Sequence, residues 1–108
     1  MKTEIASRGP IACSMYAHAD LFEKYTGGII QDDTKYNGTT HVVNVVGFST
    51  SSDGVPYWIV RNSFGTYWGE LGYYRVEIGK DIYNMESSKC SWAVPDPEFI
   101  LKLKSLRI

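Results

Sequence analysis

The stretch that most restricts how this chain can fold runs from Tyr57 to Tyr74, Y-W-I-V-R-N-S-F-G-T-Y-W-G-E-L-G-Y-Y. It opens with an apolar run typical of a buried strand, then places one amide, Asn62, at its end. A polar side chain in such a place costs free energy unless a partner satisfies it. Glycines at 65, 69 and 72, interleaved with aromatics, then demand a tightly turned, densely packed loop. Sixteen residues before Tyr57, His41 stands at the mouth of a second apolar run, V-V-N-V-V-G-F. An imidazole and a carboxamide at the ends of neighbouring strands can hydrogen-bond, the amide oxygen fixing the ring's orientation and tautomer.

The rest of the chain supplies strands around these two. Pro10 to Met15 reads as a short strand after a Gly9-Pro10 turn. Tyr16 to Tyr25 is the convincing helical stretch, with Tyr16, Leu21, Phe22 and Tyr25 on one side and Thr26-Gly27-Gly28 as its stop. Ile29-Ile30 is extended, and Gln31 to Thr40 is a polar loop with an Asn-Gly turn signal. His41 to Phe48 and Val55 to Ser63 read as strands paired in a hairpin through the turn S-T-S-S-D-G. Gly72 to Ile78 alternates as a third long strand. One helical turn is expected near Tyr83 to Glu86, and Cys90 to Val94 is a short strand closed by Pro95 and Pro97. Met1 to Ser7 is polar with Ile5 as its apolar anchor. The expected fold is therefore mostly β (α+β), an antiparallel barrel-like sheet with one short helix. Residues 1–97 form one domain. The tail Glu98 to Ile108 is a composition shift, read as a terminal strand or helix docked on the body, with a basic amphipathic contact as the alternative.

Composition excludes several classes of function. With 108 residues, 44% hydrophobic and 21% charged, the chain is globular. A net charge of −1 gives no general affinity for nucleic acid or anionic membrane. No run approaches the roughly 18 apolar residues of a transmembrane span, and the N-terminus lacks the apolar core of a signal peptide. Two cysteines and two histidines at these spacings offer too few ligands for a zinc site, and no cofactor motif is present. Composition leaves open whether Cys13 and Cys90 are joined or are two free thiols.

The runs N-G-T-T-H-V-V-N-V-V-G-F and Y-W-I-V-R-N-S-F-G-T-Y-W-G-E-L-G-Y-Y-R-V, in that order, resemble the second half of a papain-like cysteine protease. K-T-E-I-A-S-R-G-P-I-A-C-S-M and K-Y-T-G-G-I resemble in particular the cathepsin X (cathepsin Z) branch of that family. The resemblance runs from about Lys2 to Pro97 and implies the right-hand β domain of the papain-like fold. It implies that His41 is the catalytic histidine and Asn62 the asparagine that orients it. Trp68 matches the second tryptophan of the family's N-S-W-G-x-x-W-G motif, whereas Phe64 stands where the family has the first. Phenylalanine covers the His-Asn pair with less area and no N–H. Thr39, Thr40 and the segment Gly9 to Ala12 fall where family members line the substrate cleft. Cys13 and Cys90 match a pair that is disulfide-linked in this branch, which implies an oxidising, lysosomal or secreted location. His18 has no catalytic counterpart and reads as an ordinary surface or half-buried residue.

The family's nucleophilic cysteine lies about 130–150 residues before the His and Asn, and 40 residues precede His41 here. The C-G-x-C-W signature, the oxyanion-hole glutamine and the helical domain are not in this sequence. The expectation is thus the base-bearing portion of a cysteine peptidase, with carboxypeptidase action as what its branch implies, inactive by itself. Its partners would be peptide or protein substrates, the N-terminal helical domain and protein protease inhibitors. The alternative is a truncated or degenerate fragment acting as a binding or decoy module.

Overall fold

In the computed structural model, residues 1–88, 90 and 91 are described. Three long strands form the centre of a five-stranded sheet. They are β3 (His41–Thr50), β4 (Pro56–Arg61) and β5 (Tyr73–Glu77), and the sheet is completed by β1 (Ile11–Met15) and β2 (Ile29–Ile30). The order across the sheet is β1-β3-β4-β5-β2. β1 to β3, β3 to β4 and β4 to β5 are antiparallel, whereas β2 runs parallel to β5. Among the described residues the five strands do not close on themselves, so the expected barrel-like sheet is not a closed barrel there and is mixed rather than wholly antiparallel.

The period of two sets which face is buried. Val43 and Val45 of β3, Trp58 and Val60 of β4, and Tyr74 and Val76 of β5 are all buried. They pack with Ile11, Cys13 and Met15 of β1 and with Phe22, Ile82, Tyr83 and Met85. The β3–β4 hairpin turns at Ser51–Val55. There the Ser51 N–H donates to Val55 O at 2.9 Å, the Val55 N–H donates to Ser51 Oγ at 3.1 Å, and Gly54 takes φ 85°.

Two helices differ from the sequence reading. The chain begins with α1 (Lys2–Arg8), where a polar segment was expected. Its single buried apolar residue, Ile5, gives no periodicity to read. Gly9, at φ 92°, ends it by donating its N–H to Ile5 O at 3.0 Å. The helix expected over Tyr16 to Tyr25 is only α2 (Asp20–Glu23). Tertiary partners claim the donors in front of it: the Tyr16 N–H donates to Tyr83 O at 2.8 Å and the Ala17 N–H to Thr40 Oγ1 at 3.0 Å. Ala19 is extended at ψ 132°, and Leu21, expected on the packed side, is 55% exposed. Where one helical turn was expected, near Tyr83 to Glu86, the chain makes a tight turn at Ile82–Asn84 in which Tyr83 (φ 57°) and Asn84 (φ 63°) are left-handed.

The strand expected over Cys90 to Val94 is described only at its start. Ser91 bridges to Ala12, exchanging two N–H···O bonds of 2.7 Å on the outer edge of β1. Its remainder, the prolines at 95 and 97 and the tail 98–108 lie outside the described residues. Cys13 and Cys90 form a disulfide whose sulfurs are 2.08 Å apart and which joins residues 77 apart in sequence. Closing a loop of that length restricts the unfolded chain by about 4 kcal/mol in the chain-entropy account.

Candidate active site

Topology alone brings the imidazole and the carboxamide together. His41 is the first residue of β3, and Asn62 directly follows the last residue of its antiparallel neighbour β4. The start of one strand and the end of the next lie at the same end of the sheet. His41 also pairs across to Met15 at the end of β1.

There His41 Nε2 lies 2.7 Å from Asn62 Oδ1. The Ser63 backbone N–H donates to the same Oδ1 at 2.9 Å. A backbone N–H can only donate, so this contact identifies the atom facing His41 as the oxygen. An amide oxygen can only accept, so Nε2 carries the proton and the free lone pair of a neutral ring is on Nδ1. Asn62 is 8% exposed, and its backbone N–H donates to Gly72 O at 3.0 Å.

Aromatics cover this pair. The Phe64 ring stacks on His41 with centroids 5.2 Å apart and an interplanar angle of 28°. Trp68 meets Phe64 edge-on at 5.3 Å. Beneath Trp68 lie Phe22 at 5.0 Å, Tyr25 at 5.4 Å and Tyr74 at 5.8 Å. Phe64 itself is 47% exposed, so one face of the cover is open.

The glycines make the loop possible. Gly72, at φ 91°, donates its N–H to Trp68 O at 2.8 Å, and the Trp68 N–H donates to Gly65 O at 3.3 Å, folding the loop onto itself. A Cβ on Gly69 would lie 2.7 Å from Tyr73 O and 3.0 Å from the Tyr25 ring. Glu70 anchors the loop's far end through a two-pronged pair with Arg75, Nε to Oε1 at 2.9 Å and Nη2 to Oε2 at 2.8 Å. Those bonds hold the Glu70 carboxyl below the usual carboxylate range. Its Oε2 also accepts the Gly28 N–H at 3.3 Å.

The other residues singled out from sequence divide. Thr39 and Thr40 are exposed, and Thr40 is engaged on both sides: its N–H donates to Met15 O at 2.8 Å, and its hydroxyl accepts from Ala17. These bonds set the chain's path into His41. His18 is exposed, with Nδ1 3.8 Å from Glu23 Oε1. Sequence reasoning missed Asn84, whose Nδ2 donates to Tyr36 O at 2.9 Å and to Gly38 O at 2.8 Å, holding the loop ahead of His41. It also missed that Phe22, Tyr25 and Tyr74 form the floor beneath Trp68; their recurrent aromatic character was the available signal. A surface groove of about 700 Å³ is lined by residues in and around α2 and by the loop after β2, and includes none of His41, Asn62, Phe64 and Trp68.

A family profile described as papain family cysteine protease matches residues 1–93, and the chain belongs to that family. Cathepsin Z of Onchocerca volvulus is 42% identical over 104 residues, covering 88% of this chain and 33% of the relative. Cysteine proteinase 3 of Entamoeba histolytica is 41% identical over 87 residues, covering 79% of this chain and 27% of the relative. The fold matches a solved structure from a study of the mite allergens Blo t 1 and Der p 1, with a TM-score of 0.77 and 33% identity, covering 86% of this chain and 30% of that one. It also matches digestive procathepsin L2 from the larval midgut of Tenebrio molitor, with a TM-score of 0.75 and 29% identity over 86% of this chain and 30% of that one. The chain thus spans a third or less of the length of each of these relatives.

Proposed function

We propose that this chain supplies the general base and its orienting amide to the active site of a cysteine peptidase. The observation that carries the reading is the 2.7 Å contact between His41 Nε2 and Asn62 Oδ1, with Oδ1 fixed by the Ser63 N–H. With Nε2–H committed to Asn62, Nδ1 is the nitrogen free to accept a proton from a thiol. That transfer gives a thiolate and an imidazolium, and Asn62 stabilises the imidazolium through its Nε2–H. As the thiolate adds to a peptide carbonyl and the C–N bond breaks, Nδ1 returns the proton to the leaving amine. In the second half, Nδ1 takes a proton from water as the water attacks the thioester, the C–S bond breaks, and the acid product and the thiolate are released. A positioned base of this kind is worth about 10²–10⁴ in rate.

Both cysteines of the chain are joined in the disulfide. The nucleophile therefore belongs to a segment outside these 108 residues, and the 108-residue chain by itself hydrolyses nothing. Peptide or protein substrates and protein inhibitors would occupy the cleft between that segment and the end of the sheet carrying His41. The disulfide favours an oxidising setting, lysosomal or secreted. A carboxypeptidase preference, as the resemblance to the cathepsin X branch implies, would depend on the same outside segment.

The test is complementation. The chain is assayed alone and then with a helical portion bearing the C-G-x-C-W signature, as wild type and as His41→Ala. Hydrolysis only in the mixture, abolished by His41→Ala, is expected. Hydrolysis by the lone chain that survives His41→Ala would sink the reading, and a mixture that assembles without activity would favour a binding role.

A further inference from the structure

The loop that leads into His41 carries the triplet Asn37-Gly38-Thr39, an Asn-x-Thr acceptor pattern for N-linked glycosylation with a residue other than proline in the middle. A triplet of this kind is short enough to occur by chance, so its surroundings decide its meaning. Asn37, Gly38 and Thr39 are all exposed. Neither the Asn37 carboxamide nor the Thr39 hydroxyl makes a hydrogen bond among the described residues. Their neighbours, in contrast, are fastened. The Tyr36 ring stacks on Tyr16 at 4.5 Å and 14°. Asn84 Nδ2 donates to Tyr36 O at 2.9 Å and to Gly38 O at 2.8 Å, one carbonyl on each side of Asn37. Gly38 makes the turn at φ 76°, and a Cβ placed on it would meet nothing within 4 Å. The backbone is held from inside by its carbonyls while the acceptor side chain faces water, an arrangement that accommodates a bulky polar substituent without disturbing the core.

We infer that Asn37 is an N-glycosylation site, the substrate being a polyprenyl-diphosphate-linked oligosaccharide. In the transfer, Asn37 Nδ2 forms a bond to the anomeric carbon of the first sugar, the bond from that carbon to the diphosphate oxygen breaks, Nδ2 loses one proton and the lipid diphosphate leaves. No oxidant or reductant is needed. The inference rests on the oxidising-compartment reading of the Cys13–Cys90 disulfide, because this transfer occurs on the lumenal side of the same secretory route. It is independent of catalysis. A glycan at Asn37 would stand four residues before His41 in the chain.

The full 108-residue chain is expressed behind a cleavable signal peptide in a eukaryotic secretory host and analysed by mass spectrometry before and after peptide N-glycosidase digestion in heavy-oxygen water. The heavy label separates enzymatic release from spontaneous deamidation at Asn37-Gly38. The transfer acts on the emerging chain, so the result does not depend on independent folding. A glycan-sized mass is expected in wild type and Thr39→Ser, and its loss in Asn37→Gln and Thr39→Ala. A translocated wild-type chain without glycan, its cysteines oxidised, overturns the site alone. A translocated chain without glycan overturns the site equally when its thiols remain alkylatable, because the added signal peptide sets the compartment. Neither outcome bears on the role of His41, which the complementation assay reads separately.

Discussion

Phe64 lies face to face with His41, centroids 5.2 Å apart at 28°, and so covers the flank of the ring whose Nε2 is bonded to Asn62. An aromatic contact of this kind is worth about 0.5–1.5 kcal/mol beyond its area. It also keeps water from competing for the His41–Asn62 bond, which strengthens that bond.

Phe64→Ala should therefore speed solvent exchange of the His41 Nε2 proton, read by NMR, and lower activity in the complemented enzyme about 3–10-fold, the kinetic equivalent of that stacking energy. Phe64→Trp should slow the exchange below wild type, because a larger ring covers more of the pair. Equal exchange rates in all three would show that the ring at 64 does not shield the bond.

Asn62→Ala should release the His41 tautomer. Ring ¹⁵N shifts should move from a single Nε2–H form to a mixture of both tautomers. A hydrogen bond to a charged group contributes about 1.5–3 kcal/mol, so complemented activity should fall roughly 10- to 100-fold. An unchanged ¹⁵N pattern would mean that something other than Asn62 sets the ring.

Gly69→Ala should destabilise the fold by about 2–4 kcal/mol. The added Cβ would face Tyr73 O at 2.7 Å at a backbone φ of 59° that side chains rarely adopt. Gly47→Ala is the contrast: its nearest neighbour would be Ile59 Cδ1 at 3.6 Å, and the cost should stay near that of an ordinary sheet substitution. Denaturant midpoints of the two variants should differ widely; coincident midpoints would refute the tight approach at Gly69.

Alkaline pH should unfold the protein through three tyrosines. Burial pushes the Tyr25 phenol up from 10.0 to about 12, with the Glu70 carboxylate adding to the rise. Burial likewise raises Tyr74, whose hydroxyl donates to Met15 Sδ at 2.9 Å, and Tyr83. A group whose folded value is raised holds its proton more tightly when folded. Its contribution to stability is complete below the unfolded value near 10 and is lost as pH rises through the folded value. Stability should thus decline from about pH 10 upward, with these tyrosines ionising together with loss of the near-UV dichroism signal. Smooth titration of all eight tyrosines near 10 with the fold intact would contradict this.

The apolar, β-branched runs V-V-N-V-V and Y-W-I-V-R, with the turn signals between them, made the central hairpin legible, since run composition and loop chemistry are local properties. Asn62 was legible for the same reason: an amide at the end of an apolar run asks for a partner, and His41 at the start of the preceding strand is brought to the same end by antiparallel pairing. What the chain could not state locally was decided by contacts between distant segments. The helix at 16–25 shrank to four residues because Tyr83 O and Thr40 Oγ1 captured the donors of Tyr16 and Ala17. The helix at 2–8 formed around Ile5 as its buried apolar residue, closed by the Gly9 N–H on Ile5 O. The sheet is mixed because β2 joins β5 in parallel, a pairing that no turn in the sequence announces. Residue type and order limited which side chains could form the site; folding chose which atom of each faces the other, because Oδ1 is set toward His41 by a third group, the Ser63 N–H.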